Sequence, residues 1–247
     1  MNHAAVPCGA VRRIDANEPF AFHCHRGVPC FTRCCHDLEL GLTPYDVLRL
    51  RKATGLSSTE VLERFVIIEQ DDDEPFPRLY LTMVDDGKAS CVFLGPEGCS
   101  IYPDRPSSCR TYPLGRAVAR SGDRCEEHFV LLQETHCQGF LEPLLNTPKG
   151  FLHAQDLAVY HTFNDLVAGI TQHDHIRQGM NLTVRQQRAY LLALYDLDTF
   201  REKLSEGFID FHSTPDAAVF DDDEALLSYA LVWLDHELFA CGSESRG

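Results

Sequence analysis

Cysteine carries the chemistry that this sequence advertises. The chain has 247 residues and 11 of them are Cys. Eight follow a dense order: Cys24-x5-Cys30-x3-Cys34-Cys35, then Cys91-x7-Cys99-x9-Cys109, and finally Cys137. Thiolates ligate soft and borderline metals, and four of them satisfy either a tetrahedral zinc ion or an iron–sulfur cube. Eight could therefore fill two four-ligand sites or one multinuclear site. The adjacent pair Cys34-Cys35 is awkward for a single ion, because successive side chains diverge, and it suits two neighbouring sites better. One or two thiols pack well as small buried hydrophobes. Eight of them in irregular segments beside Gly, Pro and Arg do not fit that use.

The spacing favours iron–sulfur over zinc. Structural zinc sites bring ligands in C-x2 to C-x4 pairs, and only Cys30 and Cys34 come close to that. Cluster ligands can come from several distant loops. The C-x3-C-x2-C spacing of radical enzymes is nearly present but fails, since Asp37 stands where its third cysteine would be. Cys8 and Cys241 lie near the ends and read as incidental. So does Cys125, although Cys125-Glu-Glu-His128 has a possible zinc spacing.

Other polar residues crowd the same stretches. Arg105, Arg110, Arg116, Arg120 and Arg124 stand there without a lysine among them. A four-thiolate site is negatively charged, and guanidinium groups beside it would offset that charge and donate hydrogen bonds. Arg105 and Arg110 flank Cys109 and are the candidates for contact with the bound group. His23, His25 and His36 read as neighbours of ligands rather than as ligands. His173-Asp-His175 reads as surface at a helix end, and Tyr102 and Tyr112 as packing.

The remaining chain must position these groups. Thr43, Pro44 and Asp46 spell a capped helix start and Gly55 its stop. Ser57 and Glu60 have capping-box spacing for a second helix with Val61, Leu62 and Phe65 on its apolar face. Asp71–Glu74 with Pro75 and Pro77 reads as a solvated loop. Residues 78–94 read as two short strands around the turn Asp86-Gly87. Residues 95–116 read as irregular structure shaped by ligands. Beyond Pro148-Lys149-Gly150 the text is helical. Tyr160, Phe163, Val167 and Ile170 recur on one face, Thr183 caps another helix, and Leu227, Leu231, Leu234 and Leu238 line a last one that opens on Asp221–Glu224. The fold class is α+β, mostly α, with an irregular cysteine-rich N-terminal part containing a short β-hairpin and a helical C-terminal part. The expected division is residues 20–145 for metal binding and 150–241 for helices, packed on the first part as one unit.

The net charge is −15. Residues 151–247 hold 6 Lys+Arg against 16 Asp+Glu, so most of the excess lies there. Such a field opposes nucleic-acid backbones and favours a basic partner. No run of 18 apolar residues marks a membrane span, and the first 20 residues lack the apolar stretch of a secretory signal. The expected compartment is the cytoplasm, where 11 cysteines would not be paired as disulfides.

Phe22-His-Cys24, Pro29-Cys30-Phe-Thr-Arg-Cys34-Cys35, Cys91-Val-Phe-Leu-Gly-Pro-Glu-Gly-Cys99-Ser-Ile-Tyr-Pro-Asp-Arg105, Pro-Ser-Ser-Cys109-Arg-Thr-Tyr-Pro113 and Cys137-Gln-Gly139 together resemble the YkgJ-type cysteine-cluster family. The resemblance covers about residues 20–140. It implies a zinc- or iron-chelating domain, with roles in electron transfer, redox sensing or structural support. Some relatives are flagellin N-methylases, which implies an alternative: a protein-lysine methyltransferase using S-adenosylmethionine on flagellin or another lysine-bearing protein. The sequence departs from the tighter C-x2-C-x2-CC form in its longer Cys24–Cys30 spacing. It offers no Gly-rich strand-to-helix turn for a nucleoside cofactor.

Overall fold

The structure is a computed structural model and describes residues 9–121, 124–210 and 215–239, with the side chains of residues 119–125 outside that description. In chain order it builds β1 (Ala10–Ile14), β2 (Phe20–Ala21), a 3-10 turn (Arg33–Cys35), α1 (Pro44–Thr54), α2 (Ser58–Phe65), β3 (Val66–Glu69), β4 (Arg78–Leu81), β5 (Met83–Val84), β6 (Ser90–Cys91), β7 (Leu94–Gly95) and β8 (Gly98–Cys99). There follow α3 (Ser107–Thr111), β9 (Leu114–Ser121), β10 (Arg124–Gln133), β11 (Leu145–Asn146), α4 (Pro148–Ala154), α5 (Ala158–Thr171), α6 (Asp174–Arg177), α7 (Val184–Leu194), α8 (Leu197–Ser205), α9 (Ala218–Asp221) and α10 (Asp223–Phe239). This is the mixed α+β class, mostly α, with small antiparallel sheets.

The chain divides into two compact units. One takes the stretches up to Glu39, Met83–Tyr102 and Ser107–Val159, and it holds all eight patterned cysteines. Its largest sheet has the order β1-β10-β9, all antiparallel, with Ile14 opposite Phe129 and Leu114 opposite Leu131. These four side chains are buried. Along β10, Phe129 and Leu131 are buried while His128, Val130 and Leu132 between and beside them are only half-buried, which is the period of a strand with one face inward. Short pairs complete the unit. β2 lies against β11, β5 against β6, and β7 against β8.

The other unit takes Leu40–Thr82, Pro103–Pro106 and the chain from Tyr160 onward. Its helices start where the sequence places their caps. Thr43 with Asp46, Ser57 with Glu60 and Thr183 with Gln186 each close a reciprocal capping box, and Gly55 ends α1 at φ +68°. Tyr45 stacks on Phe163 at 4.8 Å and meets Tyr160 edge-on at the same distance. The α10 positions Leu227, Leu231, Leu234 and Leu238 are all buried, each contributing about 1.5–3 kcal/mol of transfer free energy. Residues 40–82, which the linear reading groups with the cysteines, are counted with the helices because α1 packs its aromatic and ionic groups against them.

The hairpin read around Asp86-Gly87 within 78–94 is present as β5 paired with β6. In its turn Asp86 accepts from Lys88 N at 2.9 Å and from Ser90 Oγ at 2.6 Å, and Gly87 adopts φ +74°. The start of that range differs: β4 pairs backward with β3, Val66 opposite Leu81 and Glu69 opposite Arg78, so the acidic loop 71–77 is the connection of a separate hairpin.

A four-charge lattice ties α1, α2, α8 and α10 together. Arg51 grips Asp198 through two bonds of 2.7 and 2.9 Å and reaches Asp223 at 2.6 Å. Arg201 donates to Asp198 at 2.9 Å and also to Asp223, and Ser58 N donates to Asp198 at 2.8 Å. Burial pushes the Asp198 carboxyl up, but the Arg51 bonds, Ser58 N–H and the Arg201 charge outweigh it and the net shift is downward. A carboxyl held below its unfolded value stabilises the fold above that value, and the contribution fades as pH falls through the folded one. Asp198→Asn should therefore cost about 2 kcal/mol at neutral pH. In urea unfolding, the gap between variant and wild type should narrow below about pH 4. A gap that holds constant into acid would contradict the assignment.

Candidate metal centre

The 3-10 turn Arg33–Cys35 sets the geometry of the thiols. Thr32 enters it at φ +65°, Cys35 N bonds Thr32 O at 2.9 Å, and Arg33 N bonds Cys30 O at 2.8 Å. The turn is pinned from outside by β6: His36 bridges Ser90, Ser90 Oγ and His36 Nδ1 lie 2.9 Å apart, and Asp37 N bonds Ala89 O. That pairing places Cys91, at the end of β6, beside the turn. Cys99 arrives on β8 and Cys109 on α3. Cys137 follows β10 through a turn in which its N–H bonds Glu134 O at 3.0 Å.

The thiols sense one another. Cys35 donates to Cys34, which holds the Cys34 thiol down at about 7 against burial and the Glu134 carboxylate. Cys35 is pushed far up by the same bond, by burial, and by Cys34, Cys91 and Cys109. Burial raises Cys91, with Cys99 and Cys34 adding to it against the Phe93 N–H. Burial also raises Cys137, as do Cys30 and Cys34, while the Tyr112 hydroxyl and Gly139 N–H oppose them. The couplings converge on the adjacent pair: Cys35 senses Cys34, Cys91 and Cys109, while Cys34 acts on both Cys91 and Cys137. Cys30, Cys34, Cys35, Cys91, Cys99, Cys109 and Cys137 are half-buried, whereas Cys24 is exposed.

Backbone N–H groups point at sulfur in several places. Gln138 N donates to Cys30 Sγ at 3.1 Å, and Phe93 and Gly139 N–H serve Cys91 and Cys137. Such donors favour the thiolate over the thiol and are the bonds that tune metal-bound sulfur. The donor set therefore fits a thiolate-ligated metal. Tyr112 Oη is buried against Cys137 and Glu134 without a hydrogen bond of good geometry, and burial pushes its hydroxyl far above the usual range. Tyr112 also packs edge-on to Phe22, so its sequence reading as a packing residue covers only half of its surroundings.

The arginines are distributed otherwise than their sequence proximity implies. Arg110 is buried in the cysteine unit and donates to Gln155 O at 2.8 Å. Arg105 is buried in the helical unit, where its carbonyl accepts from Tyr160 Oη at 3.3 Å. Arg116 pairs with Glu127 at 2.5 Å. Cys8, Cys241 and the side chains of Arg120, Arg124 and Cys125 lie outside the described residues. His128 stands beside Arg13 at 3.2 Å. Tyr102 is exposed, and His173 stacks on Phe239 at 3.7 Å.

Sequence reasoning missed one grouping. Among the described residues, three side chains bring their ligand atoms within 4.8 Å of one another: His23, His25 and Glu142. The signal available was the His-x-His alternation around Cys24, but its third member lies more than a hundred positions downstream.

Residues 23–138 match the family model CxxCxxCC, whose description is "Putative zinc- or iron-chelating domain". Nothing in the comparisons supports the methyltransferase alternative. No curated protein matches the chain, and no solved structure does. No described helix is long and apolar enough to cross a membrane.

The close packing around the thiols makes one backbone position diagnostic. Gly98, at φ +109°, precedes Cys99, and a Cβ built there would lie 3.3 Å from the Phe31 ring, one residue beyond Cys30. Gly98→Ala should cost about 1–3 kcal/mol through the backbone conformation and the crowding together. Purified under matched conditions, the variant should also retain less metal per chain. Full metal content with unchanged thermal stability would show that the β7–β8 turn does not hold the site.

Proposed function

We propose that this chain, whose residues 23–138 match the family model for a zinc- or iron-chelating domain, carries an iron–sulfur centre ligated by cysteine and used for electron transfer or redox chemistry. The observation that supports it best is the convergence of half-buried cysteines from separate stretches on the turn at Cys34-Cys35, which β6 reaches through the His36–Ser90 bridge and the segment after β10 through Gln138 N on Cys30 Sγ. Ligands gathered from several distant loops are the habit of iron–sulfur clusters, whereas structural zinc takes its ligands in closely spaced pairs.

The ligands in this reading are drawn from Cys30, Cys34, Cys35, Cys91, Cys99, Cys109 and Cys137. Cys24, the exposed member of the pattern, is the ligand the arrangement requires least. Arg110 would offset thiolate charge within the same unit. Arg105, the second arginine beside Cys109 in sequence, is carried as the weaker candidate for that role. The acidic charge of the chain would favour a basic protein as redox partner.

Anaerobic purification, an absorption spectrum, and assays for iron, zinc and acid-labile sulfide test the proposal. The expected protein is brown, with iron and sulfide in comparable amounts. Cys35→Ala should lose most of both, since it removes the half-buried thiol that lies among Cys34, Cys91 and Cys109, and Cys24→Ala should lose little. A colourless protein with stoichiometric zinc and no sulfide would overturn the cluster and leave a zinc-stabilised domain.

A further inference from the structure

Beside the thiols, on the same unit, stands a group with different ligand chemistry. The chain from Phe20 to His23 runs antiparallel to residues 139–146: β2 pairs with β11, Phe22 N bonds Leu144 O, and His23 N bonds Gly139 O, both at 2.9 Å. Asn146 Nδ2 locks the ladder by donating to Phe22 O at 2.7 Å. Phe22 is buried among Phe140, Phe151 and Tyr112. A Cβ on Gly139 would come within 2.8 Å of that ring, so this close approach requires glycine. With Phe22 turned inward, alternation turns His23 outward into solvent.

His25 and Glu142 meet it there. The His23 and His25 rings lie 4.7 Å apart, and His25 Nε2 is 3.4 Å from Glu142 Oε2. Gly27 N donates to His25 Nδ1 at 3.0 Å, which fixes the ring's orientation and leaves Nε2 facing the carboxylate. The ligand atoms of all three residues lie within 4.8 Å of one another. His23 is exposed and the other two are half-buried, so one side of the group is open to solvent.

We infer that His23, His25 and Glu142 form a second metal site, separate from the thiols, that takes one divalent transition-metal ion with water completing its coordination. Two imidazoles and a carboxylate with open positions are the ligand set of non-haem iron(II) and of catalytic zinc. Their borderline and hard donors differ from the soft thiolates alongside, so the two kinds of site select on different grounds. Coordination through His25 Nε2 moves that neutral ring's proton to Nδ1. Gly27 N–H, on an exposed residue, then turns to water. Ion binding thus costs one exposed hydrogen bond. The inference does not depend on whether the thiols hold iron–sulfur or zinc.

Cobalt(II) is the probe. Anaerobically purified full-length protein, its loosely held metal removed by brief chelation, is titrated with cobalt chloride and followed by visible absorption and by metal analysis. One equivalent should bind with weak nitrogen- and oxygen-type bands and without the intense sulfur-to-cobalt charge transfer of a thiolate site. Glu142→Gln and His25→Ala should each weaken that equivalent by about tenfold or more while leaving tightly held metal, sulfide and thermal midpoint as in wild type. Glu142→Gln preserves size and should fold regardless. The inference fails if cobalt binds only with sulfur charge transfer, if the variants bind it like wild type, or if they lose the thiol-held metal along with it. The last result would assign these residues to the cysteine centre.

Discussion

Two adjacent cysteines cannot both face one small ion without strain, and the cysteine unit is arranged around that constraint. The 3-10 turn at Arg33–Cys35 places Cys34 and Cys35 at different neighbours, with Thr32 held in the left-handed region to enter it. Cys35 then senses Cys91 and Cys109, whereas Cys34 senses Cys91, Cys137 and Glu134. Every other ligand-bearing segment is a short element delivered to that turn. β6 arrives by its bridge to His36, and the turn after β10 arrives through Gln138 N on Cys30 Sγ. Small sheets of two residues per strand cannot be stable on their own. Their presence around the thiols is understandable if metal bonds supply the binding energy that backbone ladders of that length do not.

The surroundings of the thiols are electrostatically discordant, which bears on what they are for. Burial and neighbouring thiols push Cys35, Cys91 and Cys137 toward the protonated form, while the Phe93 and Gly139 N–H groups favour the opposite at Cys91 and Cys137. A site evolved to hold buried thiols as hydrophobes has no use for donors pointing at sulfur. A cation or a cationic cluster core reconciles the two, since it supplies the positive charge that converts close thiolates from repelling neighbours into ligands.

Local chemistry was readable wherever one stretch of sequence suffices. Thr43, Asp46 and Gly55 bound α1 because a cap is satisfied by atoms three or four residues away. Leu227 through Leu238 line α10 because a helix face repeats within its own length. Pairing across distance was harder. β4 joins Val66–Glu69 rather than the strand after Asp86-Gly87, and nothing in the alternation of Arg78–Leu81 says which partner it takes. The hairpin of β9 and β10 carried a usable signal in the inward Phe129 and Leu131, set among charges. It was obscured by the arginines and glycine read as irregular loop. Arg105 and Arg110, five residues apart in sequence, belong to different units, because the chain leaves the cysteine unit at Pro103 and returns at Ser107.

Cysteine spacing identified the soft-metal region because thiols are rare and their function tolerates almost any loop length between them. The group at His23, His25 and Glu142 had no such signature. Histidines and glutamates are common, a carboxylate at position 142 has no preferred offset from a histidine at 23, and the pairing of β2 with β11 that unites them involves only two residues per strand. What makes it legible in three dimensions is the contrast of ligand type. A unit that already gathers thiolates for a soft centre gains nothing for that centre from imidazole and carboxylate on its solvent side. Hard and borderline donors held within 4.8 Å, with one face open to water, are the arrangement that lets a metal exchange ligands, while the half-buried thiols are the arrangement that retains one.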